Sequence, residues 1–155
     1  MKKIIFLLGA LLFTGGVVTA QKLTVDKVPA QVRQAFMKKF PKVYKYTWEM
    51  EDSNYEVTFK LDGKEASANF DSAGNWLESE TEISQSELPN AVLDGIKRDF
   101  PGFKTEEVVK GETPDKGAFY EVHLEKGEQE YKASYAESGT LINKKLITEE
   151  AEEND

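Results

Sequence analysis

Apolar residues recur along this chain in two rhythms. Val28, Val32, Phe36 and Phe40 are four apart, as are Leu88, Val92, Ile96 and Phe100. That spacing draws one apolar stripe along a helix. Asp26 and Ser86 suit the N-cap, which would put Pro29 and Pro89 in the first turn, where a missing N–H costs little. Pro41 and Pro101 push Phe40 and Phe100 out of helical angles and end each helix. The spacing therefore predicts two helices of about 13 residues. The rhythm then changes to two. Tyr44, Tyr46, Trp48 and Met50 alternate with Lys45, Thr47 and Glu49, and Tyr55, Val57, Phe59 and Leu61 alternate with Glu56, Thr58 and Lys60. Such alternation marks half-buried antiparallel strands with one wet face. Asp62-Gly63 supplies a hairpin turn. Ala66, Ala68 and Phe70 continue the buried face, and residues 71–75 turn into a fourth strand opening with Trp76-Leu77.

The pattern is written twice. Val28-Pro29 and Phe40-Pro41 return as Leu88-Pro89 and Phe100-Pro101, 60 residues on. Tyr55-Glu56-Val57 returns as Tyr120-Glu121-Val122, Ala68 and Phe70 as Ala133 and Tyr135, and Gly74 as Gly139, all 65 residues on. The difference of five falls around Thr113-Pro114-Asp115-Lys116-Gly117. The predicted fold is α+β, a tandem duplication of a helix plus a four-stranded antiparallel meander. Residues 21–83 form the first unit and 84–148 the second. Units of ~60 residues are marginal alone, so the two are expected to share one sheet or pack tightly. Trp48, Tyr44 and Tyr46 are expected under the first helix. A helix covers one face of a sheet, leaving the other wet unless a partner covers it.

The two ends differ from the middle. Met1-Lys2-Lys3 is basic, Ile4 to Leu12 is apolar apart from Gly9 and Ala10, and small residues precede Ala20. Residues 1–20 thus read as a signal peptide, with Gln21 as the first mature residue. From Ile4 to Val18 the apolar stretch is about 15 residues, short of the ~20 that a spanning helix needs. No Cys follows it, so a lipid anchor is not expected, and the chain should reach the periplasm or the exterior. Residues 149–155 hold five acids and no apolar period, which predicts a disordered acidic tail.

Composition removes whole classes of function. The 155 residues include no Cys and one His, and 28 Asp plus Glu outweigh 20 Lys plus Arg for a formal charge of −8. Losing Lys2 and Lys3 with the leader brings that to −10. Without Cys there is no disulfide framework, thiol nucleophile or Cys-type zinc site. One His cannot make an HExxH motif. So acidic a chain repels nucleic acid.

The order of helix, Phe-Pro, Tyr-Glu-Val hairpin and Phe70-Asp71-Ser72-Ala73-Gly74-Asn75-Trp76, in tandem behind a leader, resembles the PepSY-like secreted proteins of Bacteroides-type bacteria. That group is similar in fold to β-lactamase-inhibitor proteins. The resemblance spans about Val25 to Thr148 and rests on Phe40-Pro41, Phe100-Pro101, the two Tyr-Glu-Val motifs and the Gly74 and Gly139 turns. It implies a periplasmic, non-catalytic protein that binds or restrains a protease or other secreted enzyme. The absence of Cys departs from the β-lactamase inhibitors, and no functional residue carries over.

Candidate chemistry is sparse. His123 is the one side chain whose ordinary pKa lies near neutrality. It is out of phase with Tyr120, Val122 and Leu124, which puts it on the wet face as an exposed strand residue rather than a base. Glu78, Glu80 and Glu82 share one face of a strand and are the kind of oxygens a hard cation takes. Asp71 to Glu82 has the span of an EF-hand loop, but Ala73 and Trp76 stand where an acid and a glycine belong. No metal site, cofactor or catalytic constellation is expected. Trp76 shares phase with those acids, so it either caps the turn or stands on the wet face. Phe119 shares phase with Glu121 and His123. Rings on a wet strand suit a protein interface, and equally suit packing against the neighbouring unit. Trp76, Phe119 and His123 are thus the candidate partner-binding residues of a non-catalytic binding module. The alternative is a cation- or small-ligand-binding protein of the cell envelope.

Overall fold

The computed structural model describes residues 21–51 and 53–147. The proposed leader, 1–20, and the acidic tail, 149–155, lie outside the described residues. In chain order come β1 (Gln21–Leu23), a 3-10 turn (Val25–Lys27), α1 (Ala30–Lys39), β2 (Tyr46–Glu51), β3 (Asn54–Leu61), β4 (Lys64–Phe70) and β5 (Trp76–Glu82). A second 3-10 turn (Gln85–Glu87), α2 (Asn90–Asp99), β6 (Lys104–Thr113), β7 (Gly117–Lys126), β8 (Gln129–Ala136) and β9 (Leu141–Ile147) follow in the same order. Among the described residues nine strands form one antiparallel sheet, arranged in the order of the chain. Each half contributes the four strands that alternation predicts. β1 is additional, a three-residue strand in which Leu23 pairs with Trp48, too short to leave a period in the sequence.

The helices are shorter than the spacing predicts, 10 residues each. Val28 (φ −85°, ψ 128°) and Leu88 (φ −65°, ψ 139°) are extended, as residues before proline tend to be. No helix can run through them, so Pro29 and Pro89 occupy the N-cap positions. Asp26 and Ser86 consequently lie inside the 3-10 turns and cap neither helix. In the second turn Ser84 and Glu87 form a capping box, the Ser84 N–H donating to Glu87 Oε2 at 2.9 Å. The helix ends fall where Phe-Pro predicts: the Phe40 and Phe100 N–H groups donate to the Phe36 and Ile96 carbonyls at 2.8 Å, and the chain leaves the helix.

Both helices pack on the same sheet face, over two separate cores. Val32 and Phe36 meet Trp48, Val57, Phe59, Ala68 and Phe70 in the first; Val92 and Ile96 meet Val108, Tyr120, Val122, Leu124 and Tyr135 in the second. The Phe36 ring is 5.0 Å from Tyr46 and 5.5 Å from Trp48, both edge-on. Burying each such ring stabilises the fold by about 2–3 kcal/mol. Tyr44 departs from expectation: it precedes β2 and is 85% exposed. Alternation runs back to it in sequence, but pairing starts only at Tyr46.

The halves meet at β5 and β6, which pair through only four residue pairs, Ser79–Glu112 to Glu82–Val109. The Ile83 N–H extends this junction by donating to the Val108 carbonyl at 2.9 Å. Lys64 at the start of β4 reaches Glu87 Oε1 at 2.5 Å. The Lys64 ammonium and the Ser84 donors pull the Glu87 carboxyl down to about 2. A depressed acid adds stability above its unfolded pKa and loses it as pH falls through the folded one. Glu87→Gln is therefore expected to lower the melting temperature slightly at pH 7, with the gap to wild type closing between pH 4.5 and 2. Calorimetry across that range checks it, and a constant gap would contradict it.

Candidate binding surface

The sheet face away from the helices is built from the alternate residues of each strand. Across β2 to β5 one row reads Thr47, Thr58, Ser67 and Glu80, and continues through Gly111, Phe119 and Ala136. A second row reads Glu49, Glu56, Asn69 and Glu78. A third reads Glu82, Val109, Glu121, Ser134 and Asn143, and a fourth Glu107, His123, Lys132 and Lys145. Ser67, Asn69, Ser134 and Val109 are buried with no helix above them. They are small or mid-sized and lie between longer neighbours, so they form a floor and the glutamates, lysines and Phe119 rise around it.

Sequence phase places two of the three candidates correctly on this face. Phe119 is there, but it does not project freely. Its ring lies so close over Gly111 that a Cβ at that position would be 2.1 Å from it. The glycine is the groove in which the ring lies. His123 is also on this face, yet its side chain is only 13% exposed, with Nε2 3.3 Å from Glu130 Oε2. Glu107 and Lys132 flank it on the adjacent strands. The expected exposed position is thus a crowded one.

Trp76 lies on the other side. The register shifts after Asn69, which pairs with Glu78, so that Phe70 pairs with Trp76 and Leu77 is the extra residue of a β-bulge. A bulge reverses the phase of whatever lies beyond it. Trp76 therefore packs against the first core, with Lys39 Nζ 3.3 Å from its ring centroid. The second half repeats the device: Ser134 pairs with Asn143, Tyr135 with Leu141, and Leu141 packs on the second core. Both bulges follow a turn with a glycine at positive φ, Gly74 (86°) and Gly139 (78°). Each glycine abuts a helix start, where a Cβ would come 2.8 Å from the Gln31 carbonyl oxygen or 2.0 Å from that of Ala91.

The electrostatic centre of the face is β5. Glu78 and Glu80 are neighbours on one face of the strand, two residues apart. Burial, reinforced by Glu78 and Glu121, pushes Glu80 up to about 9. Burial raises Glu78 and Glu107 as well. Two carboxyls this close cannot both ionise cheaply, so at neutral pH the pair holds a proton. Lys132 is occupied by Glu121 at 3.0 Å, and none of Glu78, Glu80 and Glu82 is in an ion pair among the described residues. Beside Glu78, Asn69 is 8% exposed and its Oδ1 has no hydrogen-bond partner. Sequence reading saw the alternating glutamates and missed Asn69, whose type and position in a strand give no signal of burial. Among the described residues no three His, Asp or Glu side chains are arranged to hold a metal ion, and no helix is long and apolar enough to cross a membrane.

Comparison with known proteins gives a consistent picture. The family model described as "Putative beta-lactamase-inhibitor-like, PepSY-like" matches residues 17–64 and 53–143. A BLIP-like protein from Bacteroides fragilis is 28% identical, with a TM-score of 0.70 over 77% of this chain and 87% of that one. A DUF2874 family protein from Bacteroides uniformis superposes with a TM-score of 0.74 at 22% identity, over 78% of this chain and 91% of that one. A protein of Bacteroides eggerthii described as a putative periplasmic protein gives 0.73 at 19% identity, over 78% and 90%. The last two share the fold. No curated protein sequence matches.

Proposed function

The chain belongs to the PepSY-like, β-lactamase-inhibitor-like family, and on that premise we propose that it is an exported, non-catalytic binding protein of the periplasm. It docks on a secreted enzyme, such as a protease, through the helix-free face of its sheet and restrains it. The observation that carries this reading is the one-sided architecture. Both helices cover the same face of the nine-stranded sheet, and the opposite face is wide, patterned and acidic. Such a surface has what interfaces use, a partly buried aromatic at its middle and charges around it. The basic, apolar and small-residue order of residues 1–20 supports export. The repeated order of turn, helix, four strands, bulge and docked glycine supports an origin by tandem duplication.

Of the three sequence candidates, Phe119 and His123 keep their place in this reading. Trp76 lies on the helix side and enters only by holding β5 in register. Phe119→Ala is expected to weaken binding to a partner purified with the protein from periplasm by about tenfold, as interface aromatics do. Met37→Ala, an exposed position on α1, should leave it unchanged. Titration calorimetry with both variants checks this, alongside melting curves to confirm folding. Equal affinities for the two variants would remove the helix-free face from the interface.

A further inference from the structure

We propose that this face recognises a basic side chain of its protein partner, an arginine or lysine, over the strip formed by Asn69, Glu78 and Glu80. The inference rests on the docking reading above and names what the face selects. Asn69 Oδ1 is a buried acceptor without a donor, and its cross-strand neighbours on this face, Glu56 and Glu78, are carboxyl side chains. An unpaired buried carbonyl is costly and recovers that cost from an incoming donor, which an N–H supplies. Neither Glu78 nor Glu80 is in an ion pair among the described residues, and the nearby Lys132 is held by Glu121. Phe119 lies in the same row as Glu80, across Gly111. It adds a flat apolar wall on which a guanidinium or a lysine stem packs.

One ligand answers all three features. It carries several N–H donors, a positive charge and an apolar stem. A bare metal ion would use the oxygens and leave the ring without a role. The net charge of −8 would also steer a basic partner surface toward this chain. Binding should release a proton, because the cation favours ionised carboxyls. The groups that set this linkage are Glu78 on β5, Glu56 on β3, Glu121 on β7, Lys132 on β8 and Lys116 near Glu78. Directly opposite, β4 and β6 present the neutral Ser67, Asn69 and Gly111, and further along β6 Glu107 stands on the same face. Affinity for the cation should therefore rise from pH 6 to pH 9.

The test is a nuclear magnetic resonance titration of the ¹⁵N-labelled chain beginning at Gln21. The probe is the peptide acetyl-Gly-Arg-Gly-amide, with its uncharged citrulline analogue and calcium chloride as separate arms. Expected are saturable shifts of the Asn69 side-chain amide and the Glu78 and Glu80 backbone amides with the arginine peptide alone. Affinity should fall about tenfold in Glu80→Gln and Asn69→Leu. It should be unchanged in Glu65→Gln, which removes a carboxyl from the same face at the Lys60 pair. Should Asn69→Leu fail to fold, Glu80→Gln decides. Absence of saturable shifts, equal loss in Glu65→Gln, or saturation of these resonances by calcium and not by the peptide would each overturn the proposal. In any of those cases the Phe119 experiment still stands, so loss of this ligand class is distinguishable from loss of the docking face.

Discussion

Glu80→Gln is expected to raise the stability of the protein at pH 8 by about 2 kcal/mol, or roughly 6 °C in melting temperature. At pH 4.5 it should change nothing. Glu80 is pushed up to about 9 in the folded state, because it is half-buried on β5 beside Glu78 and within reach of Glu121. Between the unfolded value near 4.5 and that folded value, the native state holds a proton that the unfolded chain has lost. Stability therefore falls as pH rises through this window. Glutamine is neutral throughout and nearly isosteric, so it removes the fall without altering the packing. The gain is smaller than the full shift implies, since Glu78 and Glu107, also raised by burial, remain to titrate. Melting curves of both proteins from pH 4.5 to 9 check this. Parallel curves would show that Glu80 is solvated and ionised like any surface acid. The stabilised variant is also the one expected to bind a cation less well, so in the Glu78–Glu80 pair stability and recognition oppose each other.

Gly139→Ala is expected to destabilise the fold by about 3 kcal/mol, near 10 °C. Gly139 has φ +78° and is packed so tightly on α2 that a Cβ would sit 2.0 Å from the Ala91 carbonyl oxygen. The obstacle is helix backbone, which cannot rotate aside, and the Gly139 carbonyl itself accepts from Arg98 Nη2 at 3.2 Å. Gly74→Ala, with its corresponding contact at 2.8 Å, should cost less. Both tryptophans, Trp48 and Trp76, lie in the first half, so their fluorescence reports on the half that Gly139→Ala leaves untouched. Circular dichroism reports on both. The two midpoints are expected to fall together, because a half of ~60 residues is marginal alone and would expose β5 as a bare edge. Separated midpoints would show that the four-pair junction is too weak to couple the cores.

Much of the architecture was legible because it depends on period and punctuation. Val32 and Phe36 mark a helix face, Val57 and Phe59 a strand face, and Phe40-Pro41 a stop, each through local geometry that sequence spacing records. The misplacements share another cause. Counting back in twos from Glu78 puts Trp76 at the turn or on the wet face, and a single bulged residue, Leu77, reverses the count. Asp26 and Ser86 looked like caps because propensity cannot tell a 3-10 turn from a helix start. The crowding of His123 and the laying of Phe119 over Gly111 depend on neighbours one strand away, which alternation along one strand does not contain. The same holds for Asn69 and for the raised carboxyls of Glu78 and Glu80. The candidate site is thus a product of register between strands, while the fold is largely a product of pattern within them.

On the proposed export, the order of the sheet has a consequence for how the chain matures. Every strand pairs with the one just before it in the chain, and each helix precedes the strands it covers. Contacts are therefore short in sequence for a protein this rich in sheet, and topologies of that kind fold quickly. A polypeptide emerging amino end first from a translocation pore could zip up strand by strand. It would complete the first core before the second has arrived, and never wait for its far end to close a distant pairing.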